Sequence, residues 1–213
     1  MNLAQLILKQ ISNFSVKRIC IIGNMDDDFY EFLSDNISDS DTIYLFNNST
    51  GIKKTKSMLN GKSYKKIEIL SFPSTDKIYD WYGWQILKYY NDLKKLHVST
   101  QIFTVVFYKG KHLLQYDMGV LPLLLKMISD DGFLVMYDCS WSLAKSPTLK
   151  PEVNTNTSIQ YTQEQINLPN MQYLIDTFID NNFIEQKDIS SSKTRVYCKK
   201  TQNYVYSLMQ NYY

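Results

Sequence analysis

The sequence predicts an α/β protein with a mostly parallel seven-stranded sheet, helices on both faces and a C-terminal antiparallel hairpin. Three observations carry this. Apolar strand-like runs alternate with amphipathic helical runs along most of the 213 residues, the pattern of a parallel sheet covered on both sides. The segment from Phe103 to Trp141 reads as strand, helix, strand with short joints, and such a crossover makes its strands parallel neighbours. Two final runs, Phe183 to Ile189 and Thr194 to Lys199, are joined only by Ser190-Ser191-Ser192-Lys193, so they must pair antiparallel.

Residues 1–15 carry Leu3, Leu6, Ile7 and Ile11 at helical spacing and predict an N-terminal helix. Arg18 to Ile22 is the first strand, followed by a helix from Asp26 to Ile37 whose acidic first turn suits the helix dipole. Thr42 to Phe46 is the second strand, Ile52 to Leu59 a short helix, Lys66 to Ser71 the third strand and Tyr79 to Leu96 a longer helix. Phe103 to Phe107 is a buried fourth strand by its β-branched and aromatic content. A helical stripe then runs from Leu113 to Ile128, closed by Asp130-Asp131-Gly132, where glycine tolerates positive φ. Phe133 to Tyr137 is the fifth strand. Residues 142–170 lack firm periodicity and contain Pro147, Pro151 and Pro169; loops of this length serve as binding loops or are simple excursions. Met171 to Asn181 is a helix that Asn181-Asn182 can cap in αL. The aromatic tail 201–213 reads as a short helix against the sheet edge or an association surface. No repeat or linker interrupts the chain, so one domain over 1–213 is expected.

Open parallel sheets bind ligands beyond the carboxyl ends of their strands. His112 follows the fourth strand and Asp138 ends the fifth, which places a site between them.

The same segment resembles class I S-adenosylmethionine-dependent methyltransferases, nearest to the small-molecule and sugar O-methyltransferase branch. There the fourth strand ends in a pattern like I-D-G-x-H, a helix with a leucine pair and a D/G-G turn follow, and the fifth strand ends in aspartates. Here the residues are Phe107-Tyr108-Lys109-Gly110-Lys111-His112, then Leu124-Leu125, Asp131-Gly132 and Asp138. Lys109 replaces the first family aspartate and Cys139 the second aspartate of strand five. With the terminal hairpin, the likeness in layout covers about residues 16–200 and implies a Rossmann-like methyltransferase fold.

The resemblance also implies S-adenosylmethionine as cofactor and a hydroxylated small molecule or sugar as acceptor. Its histidine corresponds to His112 as general base, a role that suits imidazole, with Asp138 and Lys109 beside it. The cofactor positions are degenerate. The loop after strand one reads Gly23-Asn24-Met25-Asp26-Asp27-Asp28, keeping one glycine of the expected run, with aspartates suited to helix capping. Asn47 and Asn48 stand where an acid would accept the ribose hydroxyls with charge-assisted strength. Asp76 can reach an adenine edge or cap the following helix. Lys109 would repel a divalent cation from the carboxylate position, so no metal is expected.

A net charge of +2, with lysines scattered and Lys53, Lys54 and Lys56 the densest group, gives no nucleic-acid surface. Cys20, Cys139 and Cys198 lie far apart without zinc spacing, which reads as reduced thiols in the cytoplasm. No apolar run is long enough for a membrane span. Three function classes stay open. They are an active methyltransferase, a catalytically inactive scaffold or protein-binding pseudoenzyme on the same fold, and a transferase using another nucleotide. Oligomeric state is equally open.

Overall fold

A computed structural model describes residues 3–60, 68–75, 77 and 80–200. Asp76, the expected onset of the third strand at Lys66 and the aromatic tail 201–213 lie outside the described residues. Seven strands form one sheet in the order β3-β2-β1-β4-β5-β7-β6. They are β1 (Arg18–Ile22), β2 (Thr42–Asn48), β3 (Glu68–Ser74), β4 (Phe103–Tyr108), β5 (Ile128–Met136), β6 (Phe183–Glu185) and β7 (Arg195–Lys199). Strands β1 to β5 pair in parallel, and β7 is antiparallel to both β5 and β6. The expected mostly parallel sheet with its terminal hairpin is thus the one observed.

Alternation along each central strand supplies two cores. Ile19, Ile21, Ile43, Leu45, Val105 and Phe107 face α1 (Leu3–Gln10), α2 (Asp27–Asn36) and α3 (Ser49–Asn60), packing with Ile7, Leu33 and Leu59. Cys20, Ile22, Tyr44, Phe46 and Tyr108 share the other core with Ile86 of α4 (Tyr82–Lys95). Burial on both faces explains why these strands read as unbroken apolar runs.

Several boundaries differ from the expectation. The stripe from Leu113 to Ile128 is two helices, α5 (Leu114–Asp117) and α6 (Val120–Met127). Pro122 explains the restart: it falls in the first turn of α6, where its missing N–H costs nothing, whereas one continuous helix would bury it mid-span. Asp130-Asp131-Gly132 does not cap a helix but lies within β5. Two steps along β4 from Phe103 to Val105 match five along β5 from Ile128 to Phe133, and the αL residue is Asp131 (φ 57°). Gly132 is needed for space, since a Cβ there would lie 2.8 Å from the Ser129 carbonyl oxygen and 3.0 Å from that of Phe103.

Strand β3 runs on through Pro73 to Ser74. Among the described residues it pairs only with β2, and an edge strand tolerates a residue with no N–H. Residues 142–170 fold rather than wander, with a 3₁₀ turn at Leu143–Lys145, α7 (Thr155–Gln160) and α8 (Gln163–Asn167). A reciprocal Thr162–Gln165 capping box starts α8. Helix α9 (Asn170–Phe178) packs Met171, Leu174 and Ile175 into the second core. It ends extended at Ile179, without the αL cap expected at Asn181-Asn182. Strand β6 stops at Glu185, because Gln186 turns the chain by accepting from Ile189 and Ser190 N–H through its carbonyl.

Candidate active site

The carboxyl ends of β1, β2, β3 and β4 surround a cleft of about 610 Å³, within the usual range for small-molecule sites. It opens where the strand order reverses around β1, the topological switch point of an open α/β sheet. Gly23 and Asn24 reach it from the loop after β1, and Asn47 and Asn48 from the end of β2. Lys109 and His112 enter from the loop after β4. Six residues singled out from sequence therefore share one cleft. Asp138 does not line it, but meets His112 at its wall.

On the β1–β2 side the amides bond to one another. Asn47 Nδ2 donates to Asn24 Oδ1 at 2.7 Å, and Asn47 Oδ1 accepts from the Asn48 N–H at 2.8 Å. Asn48 Oδ1 accepts from the Gly51 N–H at 2.7 Å. Both polar atoms of Asn47 are engaged, leaving the amide nitrogens of Asn24 and Asn48 as donors without a partner among the described residues. Gly23 has φ 82°, and a Cβ on it would lie 1.8 Å from the Lys109 carbonyl oxygen. The loops after β1 and β4 touch here, so this glycine is required by the protein's own backbone. Asp26 caps α2 by accepting from Phe29 N–H at 2.9 Å, and Asp27 pairs with Lys54 at 2.9 Å. The three aspartates leave the cleft clear.

On the β4–β5 side, His112 Nε2 lies 3.3 Å from Asp138 Oδ2. That hydrogen bond, reinforced by the nearby charges of Lys109 and Lys193 and opposed by partial burial, holds the Asp138 carboxyl below its ordinary range. Both residues are left-handed, with φ 60° and 54°, a conformation costing on the order of 1 kcal/mol or more for a residue with a Cβ. Such strain survives only where surroundings over-determine it. The Asn170 side chain donates to the His112 carbonyl at 2.8 Å, and Trp141 packs with its ring centroid 5.8 Å from the imidazole. His112 is only 9% exposed, and its buried Nδ1 has no partner among the described residues.

Beneath the cleft lies a group that the sequence reading missed. Asp117, fully buried, accepts short hydrogen bonds from the hydroxyls of Tyr82 and Tyr108 and one from the Leu113 N–H at 3.1 Å. Burial pushes its carboxyl up despite those donors. A signal existed: Asp117 stands three residues after Leu114 and four before Leu121, on the apolar stripe where a carboxylate is out of place. Tyr82 also accepts from the Lys111 N–H at 2.9 Å, tying the loop after β4 to α4. Of the remaining aromatics, Trp81 and Tyr116 line the cleft, whereas Trp84 is exposed and Tyr89 packs on Phe72 in the core. Among the described residues no three His, Cys, Asp or Glu side chains gather as a metal site, and no helix is long and apolar enough to cross a membrane.

No family model matches the sequence, and no curated protein does. Solved structures do match. A candidate caffeoyl-CoA O-methyltransferase from Staphylococcus aureus is 13% identical, the match covering 92% of this chain and 82% of that one, with a TM-score of 0.50. The O-methyltransferase TomG of tomaymycin synthesis in Streptomyces achromogenes, solved with S-adenosylmethionine, is 9% identical over 93% and 78% of the two chains, with a TM-score of 0.54. A Corynebacterium glutamicum protein is 11% identical over 93% and 81%, with a TM-score of 0.53. At such identities the likeness concerns fold alone, and this chain has the class I methyltransferase fold.

Proposed function

We propose that the chain binds S-adenosylmethionine in the cleft at the switch point and methylates a hydroxyl group of a small molecule. One observation carries the reading: His112, backed by Asp138, faces the same cleft as Gly23, Asn24 and Asn48. The donor set is compatible with the cofactor. The amide nitrogens of Asn24 and Asn48 can donate to ribose oxygens, and the hydroxyls of Ser74 and Thr75 lie at the end of β3 for the adenine edge. When bound, the cofactor supplies an electrophilic methyl group. The chain's own part is proton handling. Asp138, 3.3 Å from Nε2, would orient the imidazole and stabilise its positive charge as His112 takes the proton of a substrate hydroxyl. Lys109 stands beside Asp138 and supports its ionised form. Cys20, Cys139 and Cys198 are free thiols, which suits a reducing cytoplasm.

A second reading has its own support. The closed chain of amide bonds from Asn24 through Asn47 and Asn48 to Gly51 replaces the expected ribose carboxylate. On that reading the chain is a pseudoenzyme, a methyltransferase fold kept as a scaffold for a protein partner. Isothermal titration with S-adenosylmethionine and its demethylated product separates the two. Binding in the micromolar range is expected; no heat at millimolar ligand would overturn the enzyme reading in favour of the scaffold.

A further inference from the structure

The charge of the cleft wall says something about its second ligand. Among the described residues Lys77, Lys109 and Lys111 line it, against one carboxylate, Asp80. Asp80 is already occupied. Its Oδ2 accepts from the Thr75 N–H at 3.0 Å and the Thr75 hydroxyl at 2.7 Å, and its Oδ1 from the Gln85 amide at 2.7 Å. Asp117 is sealed below the floor, and Asp138 is paired with His112. Among the described residues none of the three lysines has an ion-pair partner.

Lys111 is also positioned. Its Nζ sits 5.3 Å from the Trp81 ring centroid and 4.9 Å from that of Tyr116, and the two rings meet edge to face. A cation–π cradle fixes an ammonium without neutralising it. A concave wall of one sign concentrates field and draws in the opposite charge. S-adenosylmethionine carries a sulfonium and an ammonium against one carboxylate, so a net positive cofactor leaves most of this lysine charge to be met by the acceptor.

We infer that the molecule accepted beside His112 is a hydroxylated acid, bearing a carboxylate or a phosphate that lies against Lys111 and Lys109. The acceptor role rests on the methyltransferase reading; the anion site itself rests only on the lysines. Titration calorimetry of the full chain with 4-hydroxybenzoate, 4-hydroxyphenyl phosphate and the neutral methyl 4-hydroxybenzoate tests it. At least one acid should bind about tenfold more tightly than the ester, as expected when exposed ammonium groups each contribute up to about 1 kcal/mol. The better acid identifies the anion. The preference should shrink when salt rises from about 50 to 500 mM, and should vanish in Lys109→Met/Lys111→Met, two side chains that belong to neither core. Equal binding of acids and ester, no binding of either acid at 10 mM (about the weakest affinity worth counting), or a preference that survives in the double variant would each overturn the inference. A separate titration with S-adenosylmethionine keeps the two failures apart. Acid preference without cofactor binding sinks the methyl-transfer reading and leaves the anion site standing, while cofactor binding without acid preference does the reverse.

Discussion

Gly23→Ala should damage the fold itself, beyond any effect on a ligand. At φ 82° an alanine carries a left-handed penalty of about 1–2 kcal/mol. Its Cβ would also lie 1.8 Å from the Lys109 carbonyl oxygen, which is rigid backbone with no rotamer to yield. Separating the loops after β1 and β4 threatens the bond from Lys109 N–H to the Ile22 carbonyl (2.9 Å) and that from Gly23 N–H to the Phe46 carbonyl (3.2 Å), each contributing about 1 kcal/mol. The total is about 3–4 kcal/mol, a large share of the 5–15 kcal/mol that holds a typical domain together. Urea unfolding followed by circular dichroism should then show a midpoint lower by about 1.5 M, for an m value near 2 kcal/mol/M. Gly23→Asn separates the causes, because asparagine tolerates positive φ but keeps the Cβ, so most of the loss should remain. A midpoint shift below about 0.5 M for Gly23→Ala would refute the loop-contact argument and return this glycine to a ligand-only role.

Three other outcomes are expected. Asn48→Asp keeps the acceptor for Gly51 N–H and converts the outward amide nitrogen into a carboxylate oxygen for ribose hydroxyls; charge-assisted bonds are about twice as strong as neutral ones, so titration calorimetry should show S-adenosylmethionine binding about tenfold tighter, and an unchanged or weaker affinity would move the ribose elsewhere. His112→Asn, chosen over alanine because asparagine accepts αL, should lower turnover by about 10²-fold or more in a methyl-transfer assay, with turnover indifferent to magnesium or chelator; full activity in the variant would remove the base. Asp138, held below its ordinary value of 3.8 by His112, contributes stability that is present above that value and lost as pH falls through its depressed folded value. Scanning calorimetry should therefore show Asp138→Asn melting below the parent at pH 6, with the gap closing toward about pH 2; a gap constant across that range would show that the charge of Asp138 does not contribute.

The cleft illustrates how far a linear reading reaches. Gly23, Asn24, Asn47, Asn48, Lys109 and His112 were found because each follows a strand end, and strand ends are visible in hydrophobic runs. Asp117 was missed because its meaning depends on Tyr82, thirty-five residues away, and no local pattern records that meeting. Lys111 looked like one of many scattered lysines until Trp81 and Tyr116 were seen beside it.

By itself the sequence determined the sheet: the order of strands and helices, the parallel crossovers and the closing hairpin all follow from periodicity and joint length, which are local properties. Tertiary structure decided what those elements do to one another. Pro122 splits a helical stripe only once its position in the first turn of α6 is known, and Gly23 is indispensable only because the Lys109 carbonyl comes within contact distance. The asparagines at the end of β2 became an amide network with Asn24 and Gly51, and three lysines became one charged wall, because the parallel sheet brings the carboxyl ends of β1, β2, β3 and β4 together. Short-range terms act along the chain and can be read there; hydrogen bonds, steric exclusion and fields act through space, and only the fold sets those distances.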